Sequence, residues 1–194
     1  TNWKMPKKPY RLKLVEKKDL LGMGNDKSWV LQTNYLDQTM IHTAIAFYLG
    51  SISKLDYTPK SQFVELMLNG RYNGTYQLIE KLKISKNRVN VGDNGFLLEI
   101  DHNHTEDDVI FSVENLVCPV NIKEPDDIVV GDERYEYIKQ YITDFDTALF
   151  SDNFSDSSKG YSKYIDVESF VDWYVIEELL GNCDAELWTS CYMH

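Results

Sequence analysis

Phe63-Val-Glu-Leu-Met-Leu68, then Asn69-Gly70, then Arg71-Tyr-Asn-Gly-Thr-Tyr-Gln-Leu-Ile79 is the stretch that decides the fold. Two strand-like runs meet at Asn-Gly, a pair that supplies the positive backbone angles of a tight type I′ turn, so the segment reads as a β-hairpin. On its N-terminal side, Tyr10-Arg-Leu-Lys-Leu14 alternates as a strand does and Trp29-Val-Leu-Gln-Thr33 suits a second strand, with Gly22, Gly24, Asn25 and Asp26 forming the turn between them. Asp37 stands where it can cap a helix. The apolar residues Ile41, Ala44, Ile45, Tyr48, Leu49 and Ile52 recur on one face of that helix, which is expected to end near residues 50–54.

On the C-terminal side, Gly95-Phe-Leu-Leu-Glu-Ile-Asp101 reads as a strand, and residues 109–113 and 116–122 as shorter ones. After Pro125 the period changes. Tyr135, Ile138, Tyr141, Ile142, Phe145 and Leu149 fall at helical intervals within residues 132–150, and Phe170, Val171, Tyr174, Ile176 and Leu179 do so within residues 167–180. The Ser-, Asp- and Gly-rich residues 151–163 form the loop between the two helices. Strands followed by helices predict an α+β arrangement in two lobes.

The 194 residues can bury a sizeable core, and 43% hydrophobic with 13% aromatic content indicates a globular chain. The formal charge is −11, with acidic runs at Glu106-Asp107-Asp108, residues 124–127 and Asp132-Glu133, and a surface of that sign repels nucleic-acid phosphate. The first eighteen residues are the exception, with Lys4, Lys7, Lys8, Arg11, Lys13, Lys17 and Lys18; that basic end can face an anionic ligand or pack against acidic surface. Cys118, Cys183 and Cys191 match neither a dense disulfide framework nor a zinc pattern. Cys183 and Cys191 flank Asp184 and could close its loop as a disulfide or stay as thiols. Asp101-His-Asn-His104 reads as a hydrophilic turn rather than a metal site. No run reaches the apolar length of a membrane span, and the N-terminus shows no signal-peptide core.

Five segments, in order, resemble the CotH kinase family, the spore-coat-type secreted kinases with a protein-kinase-like fold. They are Tyr10-Arg-Leu-Lys-Leu14; the stretch from Trp29 through Asn34-Tyr35-Leu-Asp37 to Thr39; the hairpin from Phe63 through Glu80-Lys81; Gly95 to Asp101; and Asn182-Cys-Asp184. The resemblance implies a two-lobed kinase-like α+β fold with a mostly β N-terminal lobe over residues 1–101 and a helical, C-terminally truncated lobe over residues 102–194. It implies ATP- and Mg2+-dependent phosphorylation of Ser or Thr on a secreted or surface protein. A non-catalytic surface or coat scaffold and a carbohydrate-associated surface module are the alternatives. A further metal-binding aspartate is expected beyond His194, with little turnover without it.

On this reading Lys13 contacts the α- and β-phosphates, because a cation must offset phosphate charge while leaving the transfer line clear. Arg11, two residues away on the same strand face, is a second phosphate contact, or the partner in a surface salt bridge. Glu80 and Lys83 follow the hairpin where a kinase links its lobes; Glu80 is a nucleotide-side residue or half of a structural salt bridge, and Lys83 a ribose or phosphate contact or a solvated charge. No Glu stands on the apolar face of the helix after Asp37, so the usual Lys-Glu pair of kinases is not visible. Asp184 is the catalytic candidate, orienting the acceptor hydroxyl and taking its proton. As a plain helix-terminal Asp it would oppose the helix dipole. Asn182 and Ser190 are the metal-side candidates.

Overall fold

The computed structural model describes residues 4–194 and is a mixed α/β structure with two small antiparallel sheets and three helices. The chain divides into two compact units, Thr1–Asn90 and Val91–His194. The strand at residues 97–100 falls in the second of them.

In the first unit β1 (Tyr10–Asp19), β2 (Asn25–Gln32), β3 (Ser61–Leu68) and β4 (Arg71–Glu80) form a sheet in the order β1-β2-β4-β3, with α1 (His42–Ile52) between β2 and β3 in sequence. The β3–β4 turn has φ of 50° at Asn69 and 77° at Gly70, the left-handed pair that a I′ turn needs and that Asn and Gly tolerate. Strand alternation sends Leu12 and Leu14 to the face where Trp29, Leu31, Tyr76 and Leu78 are buried with Met23. Trp29 has no exposed surface at all. The N-terminal segment is tied down by Lys7, which donates to the Thr75 carbonyl and lies over the Tyr76 ring, and by the Tyr76 hydroxyl, which donates to the Lys8 carbonyl at 3.1 Å.

Asp37 acts as the cap of α1 from five residues away. Its Oδ2 accepts the His42 amide at 2.8 Å while Oδ1 takes the Thr39 amide and hydroxyl. The helix does not bury the apolar face read from its period, since Ile41, Ile45, Tyr48 and Ile52 are exposed. Its attachments are small and polar instead: Thr43 accepts from the Gln32 amide of β2, and Gly50 packs against Thr58.

In the second unit β5 (Leu97–Ile100), β6 (Ile110–Phe111), β7 (Val120–Glu124) and β8 (Cys191–Met193) form a sheet in the order β6-β7-β5-β8. The two short strands expected at residues 109–113 and 116–122 are trimmed and shifted, and β8 was not visible in the sequence. Helices α2 (Glu133–Leu149) and α3 (Val167–Leu180) are capped by Asp132 and Asp166, whose carboxylates accept amides of the first helical turn. Tyr135 and Ile138 of α2 pack with Leu98, Ile100, Phe111, Cys118, Val120, Ile122 and Cys191 as the core. Helix α3 contributes Trp173 to the edge of that core but leaves Phe170, Val171, Tyr174, Val175 and Leu179 exposed. It stops at Gly181, which at φ 61° forms a left-handed cap.

Candidate active site

In the first unit the cations outnumber the acids, fifteen Lys and Arg against seven Asp and Glu, so its formal charge is +8; the second unit, with five against twenty-four, carries −19. Antiparallel register sets Lys13 opposite Ser28 and Arg11 opposite Val30, so both cations project from the same face of the sheet as those two residues. Both are exposed, and among the described residues neither side chain has a hydrogen-bond or ion-pair partner. Two residues before Ser28 stands Asp26, 1% exposed. Its Oδ1 accepts the Ser28 amide at 2.8 Å and its Oδ2 lies 3.1 Å from Lys83 Nζ. Burial pushes the Asp26 carboxyl up, but the Ser28 amide and the Lys83 ammonium outweigh it and hold the group below the usual carboxylate range. Lys83 keeps about a quarter of its side chain in solvent, 24%, and so is anchored without being sealed.

Glu80 is buried and bound. Its Oε1 pairs with Arg88 Nη1 at 2.8 Å, and its Oε2 accepts the Tyr57 hydroxyl and the Lys60 amide, each at 3.0 Å. Burial, with Glu80 beside it, drives the Tyr57 phenol far above its ordinary value, so that hydroxyl remains a donor. The Arg88 guanidinium stacks over the Trp29 ring at 4.7 Å, and its Nε and Nη2 are buried without hydrogen-bond partners among the described residues. The two acids and two bases thus interlock the start of β2 with the segment that leaves β4.

The second unit presents Asp184 on a short loop between α3 and β8. A 3₁₀ turn at Cys183–Ala185 carries it, with Asn182 as the cap: Asn182 Oδ1 accepts the Asp184 amide at 3.4 Å and Nδ2 donates to Glu177 Oε2 at 2.7 Å. Asp184 is exposed, and among the described residues its carboxylate has no hydrogen-bond partner. Ser190 is exposed at φ 54°, and Leu187 shares that left-handed conformation, which costs a non-glycine residue roughly 1–2 kcal/mol. Among the described residues no group of three or more His, Cys, Asp and Glu side chains is arranged to hold a metal ion. All three cysteines are free thiols, Cys118 and Cys191 buried and Cys183 exposed. Burial raises the pKa of Cys118 and Cys191, which keeps both protonated and unreactive.

The model of the family described as CotH kinase protein matches residues 2–194. The chain belongs to the CotH kinase family. That membership makes it a kinase-like member of a transferase family. No curated protein and no solved structure matches it.

Within this CotH kinase-family chain the structure sets Arg11 and Lys13 on one face of the sheet, Glu80 with Arg88 on the opposite, Trp29 face, and Lys83 against Asp26 at the start of β2. Asp184, Asn182 and Ser190 share one loop of the second unit. Three residues escaped the sequence reading. In the sequence Asp26 reads only as a turn residue, although a carboxylate three residues ahead of Trp29 is a candidate partner for a cation. Arg88 lay in a run of charges with no periodicity to mark it. Asp101 was read as the start of a hydrophilic turn, yet it is 9% exposed and its Oδ1 accepts the Thr189 hydroxyl at 2.9 Å and the Asn103 amide at 2.7 Å.

Proposed function

We propose that this chain is the ATP-dependent protein kinase domain of a two-lobed, kinase-like fold, transferring the γ-phosphoryl group to Ser or Thr hydroxyls of a secreted or surface protein. The observation that carries the reading is the pair of exposed cations Lys13 and Arg11 on one sheet face of a unit of formal charge +8, within a chain of the CotH kinase family. A triphosphate needs several cationic contacts that protein carboxylates have not already neutralised, and among the described residues Lys13 and Arg11 have no partner to give up. Lys83 would approach the nucleotide while Asp26 holds it, and Glu80 would act indirectly by fixing Arg88 and the segment that carries Lys83.

Asp184 would orient the acceptor hydroxyl and take its proton as the phosphoryl group leaves ATP, a role that suits an open carboxylate on a braced loop. Magnesium enters with the nucleotide as Mg-ATP. Asn182 Oδ1 and Ser190 Oγ are the neutral oxygens the loop offers it, so the ion would be held chiefly by phosphate oxygens. The test is calorimetric titration with Mg-ATP, together with transfer of radiolabel from γ-labelled ATP by the full-length protein. Saturable binding and label on Ser or Thr support the reading. Absence of nucleotide binding in the folded protein rejects it in favour of a non-catalytic surface scaffold.

A further inference from the structure

Asp184 sits on a loop that is latched to the end of β5, and Thr189 joins the Asp184 backbone to that latch. Thr189 donates its amide to the Asp184 carbonyl at 3.3 Å and its hydroxyl to Asp101 Oδ1 at 2.9 Å. The neighbouring Trp188 carbonyl accepts the His102 amide at 3.0 Å, lies 3.1 Å from His102 Nδ1 and 3.5 Å from Cys118 Sγ, and the His102 and Trp188 rings stack at 4.7 Å. A carbonyl only accepts, so Nδ1 of His102 carries the proton in that contact. Immediately afterwards β8 joins β5, with Cys191 opposite Ile100 and Met193 opposite Leu98. The loop therefore leaves α3 at Gly181, turns twice through left-handed residues, and is fixed at its far end by side chains of residues 101 and 102.

We propose that Asp101 is a positioning residue which, by holding Thr189, sets where the Asp184 carboxylate stands. This rests on the reading of Asp184 as the residue that meets the acceptor hydroxyl. A nearly buried carboxylate whose Oδ1 spans β5 and the Asp184 loop is a stiff support, whereas the loop's own left-handed residues favour relaxation. Releasing the latch lets Asp184 drift by a fraction of its reach to the acceptor. The loss falls on the chemical step and leaves nucleotide affinity alone, because Asp101 and Thr189 act on the Asp184 loop, whereas Lys13, Arg11 and Lys83 are carried by the first unit.

The experiment is steady-state transfer kinetics in the full-length protein for Asp184→Asn, Thr189→Val, Thr189→Ser and Asp101→Ala, with hydrogen exchange read at the Thr189 amide. Thr189→Val is expected to lower kcat on the order of tenfold to a hundredfold with KM for Mg-ATP unchanged, and Thr189→Ser to restore it. Asp101→Ala should follow Thr189→Val. Wild-type kcat in Thr189→Val beside an inactive Asp184→Asn overturns the latch while sparing the role of Asp184. Retained transfer in Asp184→Asn overturns that role and this proposal with it. Should the unaltered protein show no turnover, exchange decides: faster exchange at residue 189 in Asp101→Ala supports the latch, and undiminished protection refutes it.

Discussion

Arg88 and Glu80 face each other as a buried ion pair, Nη1 to Oε1 at 2.8 Å with side chains 0% and 1% exposed, and the pair joins the end of β4 to the segment that follows it. Glu80 has its remaining oxygen satisfied by Tyr57 and Lys60, while Arg88 finds no partner for Nε and Nη2 among the described residues and relies on the Trp29 face. Removing one partner strands the other charge in the interior. Arg88→Met is therefore expected to cost about 3–5 kcal/mol in urea unfolding, and the pair Glu80→Leu with Arg88→Met to recover most of that. A single variant as stable as the parent would show that the pair is not what closes this end of the sheet.

Lys13 offers a cleaner probe of nucleotide binding than Lys83. Replacing Lys83 also leaves Asp26 buried and uncompensated, so lost affinity would be mixed with lost stability. Lys13 is exposed and, among the described residues, makes no ion pair, so Lys13→Met should change stability by less than about 0.5 kcal/mol. Its Kd for Mg-ATP should nevertheless rise roughly tenfold or more, the scale of one charged contact to phosphate. An unchanged Kd by calorimetry removes Lys13 from the phosphate site.

The elements that were legible are those whose cause is local. Asn69-Gly70 fixes its turn by backbone preference alone, and the helices at residues 133–149 and 167–180 are legible almost to their ends from the helical spacing of their apolar residues, with the caps Asp132 and Asp166 appearing only in the structure. What stayed hidden depends on partners far away in sequence. Cys191-Tyr-Met193 is too short to alternate, and it becomes a strand because β5 offers it an open edge. Glu80 was weighed as a salt bridge without its partner Arg88, and Asp101 finds Thr189 across 88 positions. The sequence pointed to the Asp184 loop; the residue that braces it lay in an unremarkable turn.

Asp108 gives the second unit a pH signature. Its Oδ2 accepts the Thr105 amide at 2.7 Å and hydroxyl at 2.9 Å, and Lys123 lies 3.6 Å from Oδ1. The Thr105 amide above all holds the carboxyl well below its ordinary value of 3.8. A folded pKa below the unfolded one means that the stabilisation is fully present above the unfolded value and drains away as pH falls toward the folded one. The stability gap between the parent and Asp108→Asn should be equal at pH 7 and pH 5 and smaller at pH 3, pH values chosen to bracket about 3.9. A gap that stays constant through that range in chemical denaturation would contradict the assignment.

Gly50 tests how α1 is attached to its unit. Its backbone is ordinary helix, so alanine would by itself favour the helix by roughly 0.5–1 kcal/mol. The added Cβ, however, would stand 2.5 Å from Thr58 Oγ1 and 2.9 Å from its Cγ2, atoms of a short branched side chain with little room to swing away. Overpacking of that kind costs about 1–3 kcal/mol, enough to reverse the sign, so Gly50→Ala should destabilise. Among the described residues Thr58 Oγ1 is buried without a hydrogen-bond partner, and Thr58→Ala therefore sacrifices no bond. In the double variant the two closest approaches are gone, leaving Thr58 Cβ at 3.3 Å, and the helix preference of alanine remains, which predicts a favourable coupling between the two sites in a double-mutant cycle. Additive effects of the two substitutions in urea unfolding would mean that α1 is not held by this contact.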